Sequence, residues 1–349
     1  MKRRIIIADI LSNTINGKQT GHYFALARNY LELFGEQCVV AGGPVYKNAF
    51  QEQELIVLPN NNVEGDGMFK LRLRTFENAR RLFKAAKGDI IVLQQCTTIT
   101  TLLCILLFFH KKSKLFFIQY SLEGLRNRIG RIFFRLAKHK IDGIICPNED
   151  VGNGYGLPYC VVPDYIYTGT SETSKTPYEN KIYDFCMVGR ISEEKGIVEA
   201  AKVLSNKPYK VLIAGRPQTE SLEVELRQAC ANCHNIELHL EFVTDEAYKY
   251  YLNNSKYAVL NYQGEYSKRS SGVVYDTLFS GVPVIGCNCK ALSFIEKNKM
   301  GVLFDNIRDF NFGDVLGVSK YEMYQNRISK YRMTHKEYRE KLYVYLTKN

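Results

Sequence analysis

The chain has 349 residues, 46% of them hydrophobic, and carries 47 Lys and Arg against 36 Asp and Glu, a formal net charge of +11. That length and apolar content exclude a disordered segment or a disulfide-stapled miniprotein and suit about two domains, each with its own core. The longest uncharged apolar run, TTITTLLCILLFF at 97–109, is too short to cross a bilayer and is expected as a buried helix.

The opening MKRRIIIADIL has basic residues followed by a short apolar run that Asp9 breaks, so it reads as a first strand rather than a secretory leader. The ten cysteines are accordingly expected as reduced thiols of a cytoplasmic protein. Strands are predicted at 5–10, 38–43, 55–59, 89–95, 115–121 and 143–148, each rich in Ile, Val or Phe. Helical periodicity lies between them at 20–34, 69–87, 98–110 and 124–140. A polar run containing Pro177 reads as a linker over 169–180. The alternation then restarts, with strands at 184–190, 210–215, 236–242, 257–262, 282–288 and 302–305 and helices at 194–205, 219–231, 244–254, 271–280 and 290–298. Apolar strands alternating with helices predict an α/β chain of two doubly wound parallel sheets. The expected domains are 1–168 and 181–316, followed by a tyrosine-rich C-terminal helix within 317–349.

Charge divides along these lines. Residues 1–168 carry 22 Lys and Arg against 14 Asp and Glu, residues 181–316 carry 16 against 17, and residues 317–349 carry 8 against 3. The shared positive excess suggests that the C-terminal helix packs back towards the first domain, and that one side of the protein faces an anionic surface.

Two stretches carry chemistry. In VGRISEEKG, 188–196, a strand ends at Gly189, where a side-chain-free residue permits a close turn. Arg190 adds a planar fork of donors, Lys195 a mobile charge, and the following helix a positive dipole end, a set that suits a diphosphate. In KRSSGVVYDTLFSGVPVIG, 268–286, Ser270, Ser271 and Gly272 can present hydroxyls and amides at a helix start. Asp276 follows one turn later, placed to accept ribose or sugar hydroxyls.

Together, VGRISEEKG and the Asp276–Gly281–Pro283 pattern resemble the donor-binding half of GT-B glycosyltransferases, in particular the large retaining family of bacterial glycan-assembly enzymes. The resemblance implies two Rossmann-like domains facing across a cleft. It implies that Arg190 and Lys195 hold the diphosphate of a nucleotide sugar, and that Asp276 stands where that family places a ribose-binding Glu. The second Glu expected eight residues earlier is Lys268 here, with Arg269, Ser270 and Ser271 nearby as replacements. The His often found after a mid-domain strand of the first half is also absent, the comparable run being FFIQYSLEG with Gln119, Tyr120 and Glu123. In NGKQTGHYFALARNYL, 16–31, Gly17 and Gly21 resemble the loop after the first GT-B strand, and His22 is the candidate general base.

The implied activity is transfer of a sugar to a glycan or lipid-linked acceptor in cell-surface polysaccharide assembly, with no metal or other cofactor. A sugar-nucleotide epimerase or a non-catalytic accessory subunit of the same fold are the alternatives. The basic helices at 70–87 and 126–140 suggest an anionic membrane surface as partner; in the second, Ile129, Ile132, Phe133 and Leu136 fill the face opposite the arginines, with Ile129 and Phe133 expected in the core. No nucleic-acid motif is present. CANCH at 230–234 and CNC at 287–289 are read as free thiols rather than haem or zinc sites.

Overall fold

The computed structural model describes residues 3–15, 17–19, 23–94, 98–169, 176–268 and 271–348. The chain separates into two compact units, 1–168 with 336–349, and 169–335.

The main sheet of the first unit has seven parallel strands, and Asn13–Ile15, Lys18–Gln19 and Asn62–Val63 form a small second one. In space they run Leu55–Val57, Cys38–Gly42, Ile5–Ala8, Ile90–Leu93, Lys114–Ile118, Gly143–Cys146 and Tyr159–Val161. Numbered along the chain this is the order 3-2-1-4-5-6 of a doubly wound sheet with one strand added. Side chains alternate between its faces. Ile6, Ala8, Leu115 and Phe117 share a core with Leu82, Leu102, Ile105 and Phe134 of the helices Met68–Ala85, Ile99–Phe108 and Arg128–Ala137. Phe116 points to the other face, where its ring lies 5.3 Å from that of Tyr345. Because both faces are covered, the strands read as unbroken apolar runs.

The second unit repeats the plan with six parallel strands. Their order is Ile236–His239, Val211–Ala214, Tyr183–Val188, Ser255–Leu260, Val284–Cys287 and Gly301–Phe304, again 3-2-1-4-5-6 along the chain. Phe185 and Met187 enter one core layer, Cys186 and Val188 the other.

The C-terminal helix, Val318–Lys348, contributes to both units. Tyr321, Tyr324 and Ile328 belong to the core of the second unit. Leu342 and Leu346 are fully buried, and in the first unit Tyr345 Oη donates to Pro158 O at 2.7 Å and accepts from Ile144 N at 3.2 Å. Its aromatic first half is thus buried in the core of the second unit, and its residues from 336 onward belong to the first.

Two helices differ from expectation. In Arg128–Ala137 the inward residues are Gly130, Phe134 and Ala137, while Ile129, Ile132 and Leu136 are exposed. The apolar arc of this helix is wider than its contact with the core, and Gly130 lets the backbone come close, 3.3 Å separating a Cβ built there from Gly124 O. The run 97–109 forms the helix Ile99–Phe108 and buries Leu102, Cys104 and Ile105, but Leu103 and Leu107 are open to solvent. Lys140 Nζ closes the end of that helix by donating to the carbonyls of Ile105, Leu106 and Phe109 at 3.2, 2.8 and 3.4 Å.

Candidate active site

Open α/β sheets bind ligands outside the carboxyl ends of their strands, where the strand order reverses. In the second unit that point lies between Tyr183–Val188 and its neighbour Ser255–Leu260, and both sequence motifs lead to it.

The loop after Val188 is held on two sides. Gly189 N donates to Ala214 O at 2.9 Å and Ile191 N to Arg216 O at 3.1 Å, tying the loop to the end of the adjacent strand. Gln263 N donates to Glu194 O at 2.7 Å and Asn261 Nδ2 to Gly196 O at 3.2 Å, tying it to the chain beyond Leu260. The backbones pack so closely that a Cβ at Gly215 would lie 2.0 Å from Gly189 O. Residues 193–195 form one turn of 3-10 helix, Gly196 turns in the left-handed region at φ +59, and the helix Ile197–Leu204 follows.

That turn carries Lys195 inward. Its side chain is only 8% exposed, with Nζ 5.7 Å from the ring centre of Tyr266. Among the described residues no carboxylate lies within 4.0 Å of it. Burial and then the neighbouring Arg190 guanidinium push its pKa down to about 8. Arg190 is exposed. The loop at the switch point thus carries two cations, one of them dehydrated, with no carboxylate within 4.0 Å of either among the described residues. An anionic ligand would supply the missing charge.

The second motif closes over the same turn. The helix Gly272–Phe279 begins beside Gly189, at which a Cβ would lie 3.2 Å from Val273 Cγ2. Asp276, one turn on, shares the face of Val273. Its carboxyl is pushed up from the ordinary range, first by the protein mass that displaces water and then by Asp245, while the Tyr248 hydroxyl acts in the opposite sense. The residue nevertheless remains open to solvent, which limits the shift. The other end of this helix is capped by Arg332, which donates to Leu278 O and Phe279 O at 2.9 and 2.6 Å.

The structure thus brings together Gly189, Arg190, Lys195, Gly272 and Asp276. Ser271 is placed differently from the free hydroxyl expected: it is 4% exposed, and its Oγ lies 2.8 Å from the Tyr262 hydroxyl and 3.4 Å from that of Tyr266. Gly21, His22 and Ser270 lie outside the described residues. Gly17 turns at φ +74 with nothing within 4 Å of an added Cβ. Sequence reading missed Tyr248. It lies on the helix Asp245–Asn253, one ring carbon 3.9 Å from the Cβ position of Gly189, with its hydroxyl buried. No motif marks it; only the sheet order brings that helix here.

An open groove of about 330 Å³ runs along the strand ends, lined in part by Asn261, Gln263, Asn288 and Asp305. Cys287 and Cys289 also line it, and the interaction between the two thiols pushes the Cys289 thiol down and the Cys287 thiol up. Cys230 of the CANCH run is buried in the hydrophobic core. Among the described residues no group of three or more His, Cys, Asp or Glu is arranged to hold a metal ion.

The first unit has a polar feature at its own switch point. Gln94, immediately after the strand Ile90–Leu93, is 3% exposed, and among the described residues neither polar atom of its side-chain amide has a hydrogen-bond partner.

No protein-family model matches this chain, and no curated protein matches it. Solved structures do. AviGT4, a glycosyltransferase involved in avilamycin A biosynthesis, is 14% identical over 99% of this chain and 98% of its own, with a TM-score of 0.64. Anabaena HepE in complex with UDP and glucose is 13% identical over 95% of both chains, with a TM-score of 0.64. A Listeria monocytogenes protein described as a UDP-N-acetylglucosamine 2-epimerase is 13% identical over 95% of this chain and 91% of its own, with a TM-score of 0.61. With both parallel sheets in place and full-length similarity to these proteins, the chain has the GT-B fold.

Proposed function

We propose that this protein is a glycosyltransferase that moves a sugar from a nucleoside-diphosphate sugar to a glycan or lipid-linked acceptor in cell-surface polysaccharide assembly, with retention at the anomeric carbon. The observation that carries the reading is Lys195, a buried ammonium without an acidic partner among the described residues, at the switch point of a GT-B sheet. As the glycosidic bond to the donor breaks, charge gathers on the leaving diphosphate. Arg190 and Lys195 are aimed at that charge before it forms, so they stabilise the transition state without reorganising. In this reading they and the start of the Gly272–Phe279 helix supply the counter-charge, and no metal is assigned a role. Gly189 admits the phosphates against the backbone, and Asp276 takes nucleoside or sugar hydroxyls. The first unit holds the acceptor, with His22 as the candidate base. HepE, of like fold, binds UDP and glucose, which makes UDP-sugars the first probes.

The test is donor cleavage across a panel of nucleotide sugars, with and without saccharide acceptors. Release of nucleoside diphosphate together with transferred or free sugar is expected. Arg190→Ala should slow it by at least roughly tenfold, or about 1.4 kcal/mol of lost stabilisation. Unchanged turnover in that variant would reduce the motif to a turn. Conversion of the donor to its epimer would make the chain an epimerase, and nucleotide binding without cleavage an accessory subunit. Retention is checked from the anomeric coupling of the product by proton NMR.

Asp276→Asn separates the two halves of the donor. It should weaken binding of the nucleoside diphosphate more than that of inorganic pyrophosphate, measured by calorimetry. Equal losses for the two ligands would remove Asp276 from hydroxyl recognition.

A further inference from the structure

The helix Arg128–Ala137 turns much of its apolar surface away from the protein. Ile129, Ile132 and Leu136 are 56%, 58% and 54% exposed, and their spacing of three and four residues makes one stripe along the helix. Arg128, Arg131 and Arg135 form a second exposed row around the helix from it, and none has a carboxylate within 4.0 Å among the described residues. The helix Ile99–Phe108 packs alongside, and its Leu107 is 59% exposed. Between Asp89 and Asp142 the chain carries nine Lys and Arg and a single acidic residue, Glu123.

A stripe of large aliphatic side chains beside unpaired arginines needs an occupant with both chemistries. A second copy of the chain would bring two arginine rows together. A nucleic acid would satisfy the arginines and leave the aliphatic stripe wet. An anionic bilayer offers phosphate headgroups to the arginines and, a few ångströms deeper, hydrocarbon to the stripe. No helix among the described residues is long and apolar enough to span a membrane, so the contact is interfacial. We propose that Arg128–Ala137 is a membrane-docking helix that lies in the headgroup layer of an anionic bilayer with Ile129, Ile132 and Leu136 inserted. The proposal is independent of the transferase reading.

The full chain should co-sediment with vesicles of phosphatidylcholine containing phosphatidylglycerol, and not with phosphatidylcholine alone. Binding should weaken as salt is raised, because attraction to the surface is screened within about 10 Å at 0.1 M ionic strength. Replacing the three arginines by Gln, or the three aliphatic residues by Ser, should each lower binding at least roughly tenfold. The native chain contains no tryptophan, so Ile132→Trp provides a clean probe that reports on the folded protein. Its emission should shift to the blue with the acidic vesicles only. Binding to neither vesicle or equally to both, undiminished binding by the Ser variant, or an unshifted Trp emission would each overturn the proposal. So would a dimer in solution that the Ser variant dissociates.

Discussion

Lys195→Met should make the unliganded protein more stable and at the same time abolish nucleoside-diphosphate binding. The ammonium is buried without an acidic partner among the described residues, and its pKa is pushed down to about 8 from the ordinary 10.5. The sign follows from linkage. Below about 8 the lysine is charged in both folded and unfolded chains, and the folded state bears the full cost of dehydrating it. That cost is on the order of 3 kcal/mol. Between about 8 and 10.5 the folded protein gives up the proton while the unfolded chain keeps it, so the cost shrinks, and above 10.5 it vanishes. Methionine has similar volume and no charge. The variant should therefore melt at higher temperature near neutral pH, with the gap closing as pH rises through that window. Diphosphate affinity of the native protein should run the opposite way, falling once pH exceeds about 8, because only the ammonium attracts phosphate. Thermal melts and titration calorimetry across pH measure both arms. A variant that is less stable than the native protein at pH 7 would show that Lys195 is a structural cation.

Much of this was visible in the sequence for one reason: strands covered on both faces must be apolar along their length. All six strands of the second unit were expected, from Tyr183–Val188 to Gly301–Phe304. In the first unit the edge strand Tyr159–Val161 and the helix Glu149–Tyr155 were missed. The strand is three residues long, and the helix contains Gly152 and Gly154, which lower helical propensity; its start is fixed instead by Asn148, whose side chain accepts from Val151 N at 3.0 Å. Periodicity showed that Arg128–Ala137 is amphipathic. It could not show which part of the apolar arc meets the core, because that depends on how far the helix is rotated against its neighbours. The motif around Arg190 and Lys195 was legible as a pair of cations. The burial of only one of them was not, since it depends on the turn at Gly196 and on Tyr266, seventy-one residues away in the chain. Tyr248 carried no signal at all, because its place beside Gly189 comes from the crossing of strands in the sheet.

Gly196→Ala should damage the site through geometry alone. Gly196 turns at φ +59, and a Cβ there would lie 2.4 Å from Asn261 O and 2.6 Å from Asn261 Nδ2. Gly264, in the same unit, has almost the same backbone conformation, φ +55, with nothing within 4 Å of an added Cβ. Alanine at Gly264 therefore meets only the intrinsic cost of the left-handed region, about 1–2 kcal/mol. At Gly196 the same cost is joined by overlap with a backbone carbonyl that cannot swing aside, because Asn261 follows directly on the central strand Ser255–Leu260. Overpacking of this kind adds about 1–3 kcal/mol. Relief must come from separating the loop after Val188 from the chain beyond Leu260, which breaks the bond between Asn261 Nδ2 and Gly196 O and moves Lys195, its immediate neighbour. Denaturant melts should rank the variants native, Gly264→Ala, Gly196→Ala in falling stability. Nucleoside-diphosphate affinity should fall at least roughly tenfold in Gly196→Ala, the equivalent of about 1.4 kcal/mol, and stay near native in Gly264→Ala. Equal losses of stability in the two variants would mean that the loop yields freely, and that the close approach of Gly196 to Asn261 does not set the position of the buried cation.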